Sequence, residues 1–405
     1  MNKKNKILIV CINGDSSKTG FAVRVISIAR SLIKNGYEVS ILKFYPILKN
    51  SSKWKDDATI SDLNVFEVPV LPISKYSIFR KLSFIWGGII VKLLTMLKSI
   101  SLVQAECHEA GYLVLKKKWD SKLPVVVDFH GAAPEEAIHR NKLLGLSMDR
   151  HLWLEDAEKC CLEKASSFFY VSINMYDHLL QKHRLQKINN TYLVPVNVEE
   201  YFFKEYDRQS VRESLGVSDD DILFIYSGGA QEYQCVNELI TTYKSLKERN
   251  TKYKLLVLTL DVDKFKAAFD ELAPGIADVI YRSANKEDVP AYLSSADLSF
   301  LLRREEILNI VSCPTKFGEY LACGVPVVTT KWAGHAPQVV EKYNVGVIVD
   351  PTIVDIDVIE QFATKIDNDL RKKCRNVAKE NLVWETSEQQ ILNCYKRLRV
   401  TGKKI

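Results

Sequence analysis

The chain has 405 residues, 47% hydrophobic and 26% charged, with a net charge of +6. That length allows two domains, each with its own core, and the composition excludes a disordered chain. The lysines are scattered and no arginine-rich arm is present, which sets nucleic acid aside as a partner. No run of apolar residues is long enough to predict a membrane-spanning helix.

The first predicted element is the strand "KILIVCI". The basic start "MNKKNK" imitates a secretory leader, but the apolar run from Ile7 to Ile12 is only six residues and stops at Asn-Gly-Asp, so a buried strand fits better. "FAVRVISIARSLIKNG" follows as an amphipathic helix closed by Gly36, then "YEVSILKFY" as a strand. This βαβ opening implies a parallel sheet. Further on come the buried strand "LPVVVDFHG", ending in His130-Gly131, and the strand-plus-helix "SSFFYVSINMYDHLL". "NTYLVPVNVEEYF" reads as a strand leading to a crossover. Residues 76–102 fit this alternation poorly. They mix Phe, Trp, Ile and Leu with Arg80, Lys81, Lys92 and Lys98, and Gly87-Gly88 interrupts the pattern. Such a segment suits either an anionic membrane surface or a core helix with solvated lysines.

After the turn "SLGVSDDD", six strands alternate with helices: "ILFIYSGG", "YKLLVLTL", "DVIYRSA", "DLSFLL", "VPVVTT" and "VGVIVD". The expected fold class is therefore α/β, with two doubly wound, Rossmann-like domains: 1–198, 199–383, and a final helix 384–405 packing back on the first domain. The nine cysteines are odd in number and form no CxxC pair, and Cys160-Cys161 are adjacent. This suits neither a zinc knuckle nor a disulfide framework and points to a reducing cytosol.

The stretch "SCPTKFGEYLACGVPVVTT" (312–330) is the richest in chemistry. Pro314 favours a helix start and Gly324-Val325-Pro326 a helix stop, so a short helix should precede the strand of valines. The amides of its first turn lack intrahelical partners, which makes an anion site if that end is open. At helical spacing Lys316 and Glu319 share one face, while Phe317 and Leu321 share another. Lys316 can add a positive charge beside the amides, and Glu319 can accept hydrogen bonds from a pair of hydroxyls. The plain alternative is a surface ion pair at i,i+3.

This block, placed between two late strands, resembles the donor site of family 4 retaining glycosyltransferases of the GT-B fold, of the bacterial surface-polysaccharide type. Similarity extends over nearly the whole chain, through "DFHG", "VPVNVEEYF", "IYSGG", "YLSSADLSFLL" and the last helix. The resemblance implies transfer of a sugar from a nucleotide-diphosphate sugar to a hydroxyl acceptor. That acceptor would be a glycan or lipid-linked glycan in cell-surface polysaccharide biosynthesis. The setting would be cytoplasmic, with peripheral contact at the inner membrane face through 76–102. No metal and no cofactor beyond the donor are implied. Lys316, Glu319 and His130 take the catalytic positions. Ser312, Pro314, Thr315, Gly228 and Gly229 fall in the donor-binding segments. Gly14 and Gly20 flank the loop "NGDSSKTG" on the acceptor side, which is not a dinucleotide fingerprint. The sequence also departs from the family: Gly229 and Gln234 stand where many members have Arg and Lys, and Val311 replaces the first carboxylate of Glu-x7-Glu. Arg303 and Arg304 are the best remaining cations, unless they belong to a solvated Arg-Arg-Glu-Glu run. The departures keep two other functions open, a GT-B nucleotide-sugar epimerase and a non-catalytic nucleotide-sugar-binding subunit.

Overall fold

The computed structural model describes residues 5–12, 19–47, 54, 57–71, 77–116, 123–144 and 149–401. The chain divides into two compact units, Met1–Val194 with Ser387–Ile405, and Pro195–Thr386. The boundaries expected from sequence, 198/199 and 383/384, lie within a few residues of these.

In the first unit the strands are β1 (Lys6–Ile12), β2 (Glu38–Pro46), β3 (Asn64–Val70), β4 (Leu102–Glu106), β5 (Val125–Phe129), β6 (Ser167–Tyr170) and β7 (Thr191–Leu193). They form one parallel sheet in the order β3-β2-β1-β4-β5-β6-β7. Helices cover both faces of such a sheet, so its inner strands are nearly continuous in apolar residues. The order reverses between β1 and β4, which is where open α/β sheets leave a crevice at the strand ends. The helix Gly20–Lys34 connects β1 to β2. Its N-cap is Thr19, whose hydroxyl accepts a hydrogen bond from the Ala22 amide at 3.3 Å. The last helix, Trp384–Thr401, lies in the first unit from Ser387 on. There Tyr395 donates to Gln104, and Glu388 accepts from Ser31 at 2.7 Å.

Sequence reasoning missed β3 and β4. β3 is an edge strand carrying Glu67 and Pro69, and β4 carries Gln104 and Glu106, both fully buried. Polar residues inside a strand break the apolar run that signals one. The poor fit of 76–102 is thereby corrected: it is the helix Ser77–Leu97 between β3 and β4, leading into the start of β4. The expected interruption at Gly87-Gly88 does not occur. Both glycines lie within the helix, and Gly87 faces the neighbouring helix Cys107–Leu115, where a Cβ would come within 2.7 Å of Leu113 Cδ1. The glycine permits close helix packing at the expense of some helix propensity.

In the second unit the strands are β8 (Ile222–Ser227), β9 (Tyr253–Leu258), β10 (Val279–Arg282), β11 (Leu298–Leu301), β12 (Val327–Thr330) and β13 (Gly346–Val349). All six expected strands form, again in a parallel sheet, in the order β10-β9-β8-β11-β12-β13. Alternation along β8 splits the interior: Leu223 and Ile225 enter one core, Phe224 and Tyr226 the core on the other face. The order reverses between β8 and β11, so a second crevice lies at the ends of these strands. All nine cysteines are free thiols.

Candidate functional site

In the second unit the strand ends at the reversal bring together three segments that are distant in sequence. After β8 come Gly228 and Gly229, after β11 come Arg303 and Arg304, and Lys316 of the helix Thr315–Ala322 lies beside Gly228 and within reach of the charge of Arg303. Pro314 is the N-cap in an extended conformation, and Gly324 lies past the end at φ +75°. Tyr320 pins this helix to β8, its hydroxyl accepting from the Ser227 amide at 2.9 Å.

Lys316 reaches over this junction. Its Nζ donates to Gln234 Oε1 at 3.1 Å and sits 5.2 Å from the centre of the Tyr226 ring. A Cβ at residue 228 would fall 1.9 Å from that nitrogen, so glycine there makes room for the lysine. Arg303 is buried beside it. Its amide donates to Thr330 Oγ1 at 3.0 Å, its guanidinium to the Leu302 carbonyl at 2.7 Å, and it lies 5.9 Å from the Tyr233 ring. Among the described residues neither Lys316 nor Arg303 forms an ion pair. Burial, and then the charge of Arg303, push Lys316 down to about 7, with Glu319 opposing. Glu319 is pushed up to about 6 by burial, opposed by Lys316 and Lys286 and reinforced by Glu199.

Arg304 differs. Its Nε donates to Glu238 at 2.6 Å, and Glu232 lies 3.8 Å away, so its charge is already matched on the protein. Ser312 donates to the Asn309 carbonyl at 2.8 Å, Thr315 is exposed at the helix start, and Val311 is buried. Tyr201 escaped sequence analysis. Its buried hydroxyl has no hydrogen-bond partner, burial and the nearby Glu319 hold it well above the usual phenol range, and Lys286 lies over its ring. Its signal was present in "VPVNVEEYF", a linker segment with an unexpected aromatic pair. Asp261 accepts from the Ala230 amide at 3.0 Å and from Lys264 at 2.8 Å.

In the first unit His130 follows β5. Its Nε2 lies 2.8 Å from Glu106 Oε2, at the end of β4, and 3.4 Å from Asp128 Oδ2. Arg24, from the first helix, grips both oxygens of Asp128 at 2.9 and 3.0 Å and donates to the Val194 carbonyl at 2.7 Å. Gln104 donates to the other oxygen of Glu106 at 2.5 Å. Burial works against a charged His130, but Cys107 and Asp128 outweigh it, so the imidazole is held well above its usual range. Asp128, despite burial, is held far below its usual range by Arg24 and His130. Burial raises Glu106, with His130 opposing. Side-chain atoms of Glu106, Asp128 and His130 lie within 4.8 Å of one another, a spacing that suits a metal ion, but here Arg24 and the imidazolium already balance the two carboxylates. Phe21 packs against the histidine ring at 5.1 Å, and 15% of the His130 side chain is exposed. Sequence reasoning found His130 but not Arg24, Glu106 or Asp128 as its partners. Gly20 opens the first helix and is exposed; Gly14 lies outside the described residues.

Residues 207–381, nearly all of the second unit, match the family model described as glycosyl transferases group 1. The match covers less than half of the chain. The two-Rossmann-unit architecture gives the chain the GT-B fold, and solved structures agree. Sucrose-phosphate synthase from Thermosynechococcus elongatus superposes with a TM-score of 0.75 at 15% identity, covering 98% of this chain and 100% of that one. HepE of Anabaena, solved in complex with UDP-glucose, gives 0.70 at 16%, covering 97% and 99%. WaaG, a glycosyltransferase involved in lipopolysaccharide biosynthesis, gives 0.67 at 15%, covering 94% and 99%. No curated protein matches the chain by sequence.

Proposed function

We propose that the protein is a retaining glycosyltransferase that moves a sugar from a nucleotide-diphosphate donor to the hydroxyl of a lipid-linked glycan in cell-surface polysaccharide assembly. The observation that carries this reading is the pair Lys316 and Arg303. Two cations converge at the reversal of the second sheet without an ion pair among the described residues, and a diphosphate supplies the charge they lack. The departing nucleoside diphosphate develops its charge against them and against the free amides of the helix start. Glu319 and the Tyr201 hydroxyl suit the ribose diol. Retention follows from same-face attack through an ion-pair-like state, so no protein nucleophile is needed. Arg303 replaces the cations lost at Gly229 and Gln234, and no metal is required. The UDP-glucose bound by HepE and the lipopolysaccharide role of WaaG support the donor and acceptor classes.

The test is release of nucleoside diphosphate from a panel of nucleotide sugars, with and without lipid-linked acceptor, and with chelator. Turnover should survive chelation and fall at least a hundredfold in both Lys316→Ala and Glu319→Ala (about 2.7 kcal/mol of transition-state stabilisation). Unchanged turnover in both variants overturns the site. Binding without release would make the protein a nucleotide-sugar-binding subunit, the reading that the absent cations at 229 and 234 favour, and isomerised sugar without release would make it an epimerase.

A further inference from the structure

The first unit holds a cavity at the end of its sheet where β6 and β7 begin. Its volume is about 350 Å³, within the range of small-molecule pockets. His130 follows β5, and in a parallel sheet that is the opposite end. Ser166 stands directly before β6, and Asn189-Asn190 directly before β7. Lys159 and Glu163 come from the helix Asp149–Lys164, His183 closes the helix Ile173–His183, and Lys187 lies in the link to β7. The rim is built from fixed groups. Asn190 takes a left-handed conformation at φ 54°, which asparagine tolerates better than most residues. From there its carbonyl accepts from the Phe168 amide at 3.1 Å, and its Nδ2 donates to the Ser166 carbonyl at 3.2 Å. His183 Nε2 lies 2.7 Å from Oε1 of Glu158, a carboxylate only 1% exposed, which leaves Nδ1 as the ring atom that a ligand can meet.

Charge indicates what the cavity takes. Lys159 and Lys187 are exposed, and among the described residues neither forms an ion pair, although Glu163 lines the same cavity. A carboxylate ligand would bring one negative charge to these two lysines. A phosphate monoester brings nearly two near pH 7, with three acceptor oxygens, enough to meet both lysines and His183. The remaining polar groups, Glu163 and the two asparagine amides, suit hydroxyls, since a carboxylate accepts and an amide both donates and accepts.

We propose that this cavity is a second ligand site, for a sugar phosphate or a similar small polyhydroxylated phosphate ester. Lys159, Lys187 and the imidazole of His183 meet the phosphate, and Glu163, Asn189 and the Asn190 side chain meet the hydroxyls. Through His183 the ligand bears on Glu158, which also holds His108 at 3.0 Å and Lys182 at 2.7 Å. The inference goes beyond the glycosyl-transfer reading and does not rest on it, because the cavity shares no residue with the donor site.

The test is calorimetric titration of the full chain with glucose 1-phosphate, glucose 6-phosphate and ribose 5-phosphate, with glucose and inorganic phosphate as controls. At least one ester should bind roughly tenfold or more tighter than either control, and salt should weaken it. Lys159→Gln/Lys187→Gln, whose changed residues are exposed, should weaken that binding roughly tenfold or more, and Lys316→Met should leave it unchanged. Ala165→Leu, which adds bulk to the cavity wall and keeps both lysines, should weaken it as well. The imidazole NMR signals of His183 should move when the ester is added to wild type and stay in place in the double lysine variant. No binding by any ester, or equal binding by wild type and the double variant, overturns the proposal. So does binding no tighter than that of inorganic phosphate, which would make the cavity an adventitious anion contact. Binding lost in Lys316→Met and kept in Lys159→Gln/Lys187→Gln would put the ester in the donor site and overturns it too. Nucleoside diphosphate release, assayed with no ester present, reports separately on the catalytic reading.

Discussion

Lys316 shows most directly how one residue joins sequence to function. Its neighbourhood opposes its charge, and an anionic ligand would reverse that opposition. In the free protein it loses its proton near pH 7, and a bound diphosphate favours the protonated form. Nucleoside diphosphate affinity should therefore strengthen as the pH falls from 8.5 towards 7. Below about 6 protonation of Glu319 leaves it a weaker acceptor for the ribose hydroxyls, so affinity should fall again. Calorimetric titration across this range checks the sign on both sides, and Lys316→Met should lose the upper limb. The same variant removes a poorly compensated charge, so it should raise stability by ~1 kcal/mol or more while abolishing turnover; thermal unfolding measures the first effect. His130 has the opposite environment. Two carboxylates converge on one of its nitrogens, so its ring should remain protonated at pH 7.5. Glu106→Gln should lower its midpoint by about a unit or more, read from imidazole NMR shifts, and an unmoved midpoint would remove Glu106 from the account.

Among elements, the helices of the first unit are tied together by a second buried network. Glu158 on the helix Asp149–Lys164 contacts His108 at 3.0 Å, from Cys107–Leu115, and both His183 and Lys182 at 2.7 Å, from Ile173–His183. Lys182 also reaches Glu135 at 2.8 Å, on the helix Ala133–Leu144. His108 stacks on Phe129 of β5. Although burial opposes it, Glu158 is held far below its ordinary carboxylate range by His108 and His183. Its contribution to stability is therefore complete above that ordinary range and lost as the pH falls below it. Glu158→Ala removes the acceptor shared by His108, His183 and Lys182, although Lys182 keeps Glu135, and should cost about 1–3 kcal/mol, measured by denaturant unfolding at pH 7, with a smaller difference in acid. The same scale explains which elements were legible. β5 and β8 announce themselves as apolar runs. β4 does not, because Gln104 and Glu106 are tolerated in its buried interior only through partners on other elements: Tyr395 nearly three hundred residues away for one, His130 for the other.

For the whole molecule, the closing helix belongs to the unit that the chain left long before. Ile391, Cys394 and Tyr395 are buried there, with Cys394 Sγ 3.2 Å from Ser167 Oγ. Truncation after Thr386 should therefore expose the first sheet's cover and lower the unfolding temperature of the chain by several degrees or more. The donor-site residues all lie within 195–386, so nucleoside diphosphate binding should persist wherever the second unit remains folded; loss of binding with that unit intact would contradict the placement of the site. Sequence by itself determined the alternation of strands and helices, the short helix after Pro314, and the shared face of Lys316 and Glu319, because periodicity, proline and glycine act locally; the candidate status of His130 came from the family resemblance. Only the tertiary structure separated the two neighbouring arginines, pairing Arg304 with Glu238 and Glu232 and burying Arg303 without an ion pair among the described residues. Tertiary structure also joined Glu106, Asp128 and Arg24 to His130 and brought Lys159 and Lys187 to one cavity. Those outcomes depend on which strands lie side by side, and sheet order is set by packing between segments far apart in the chain.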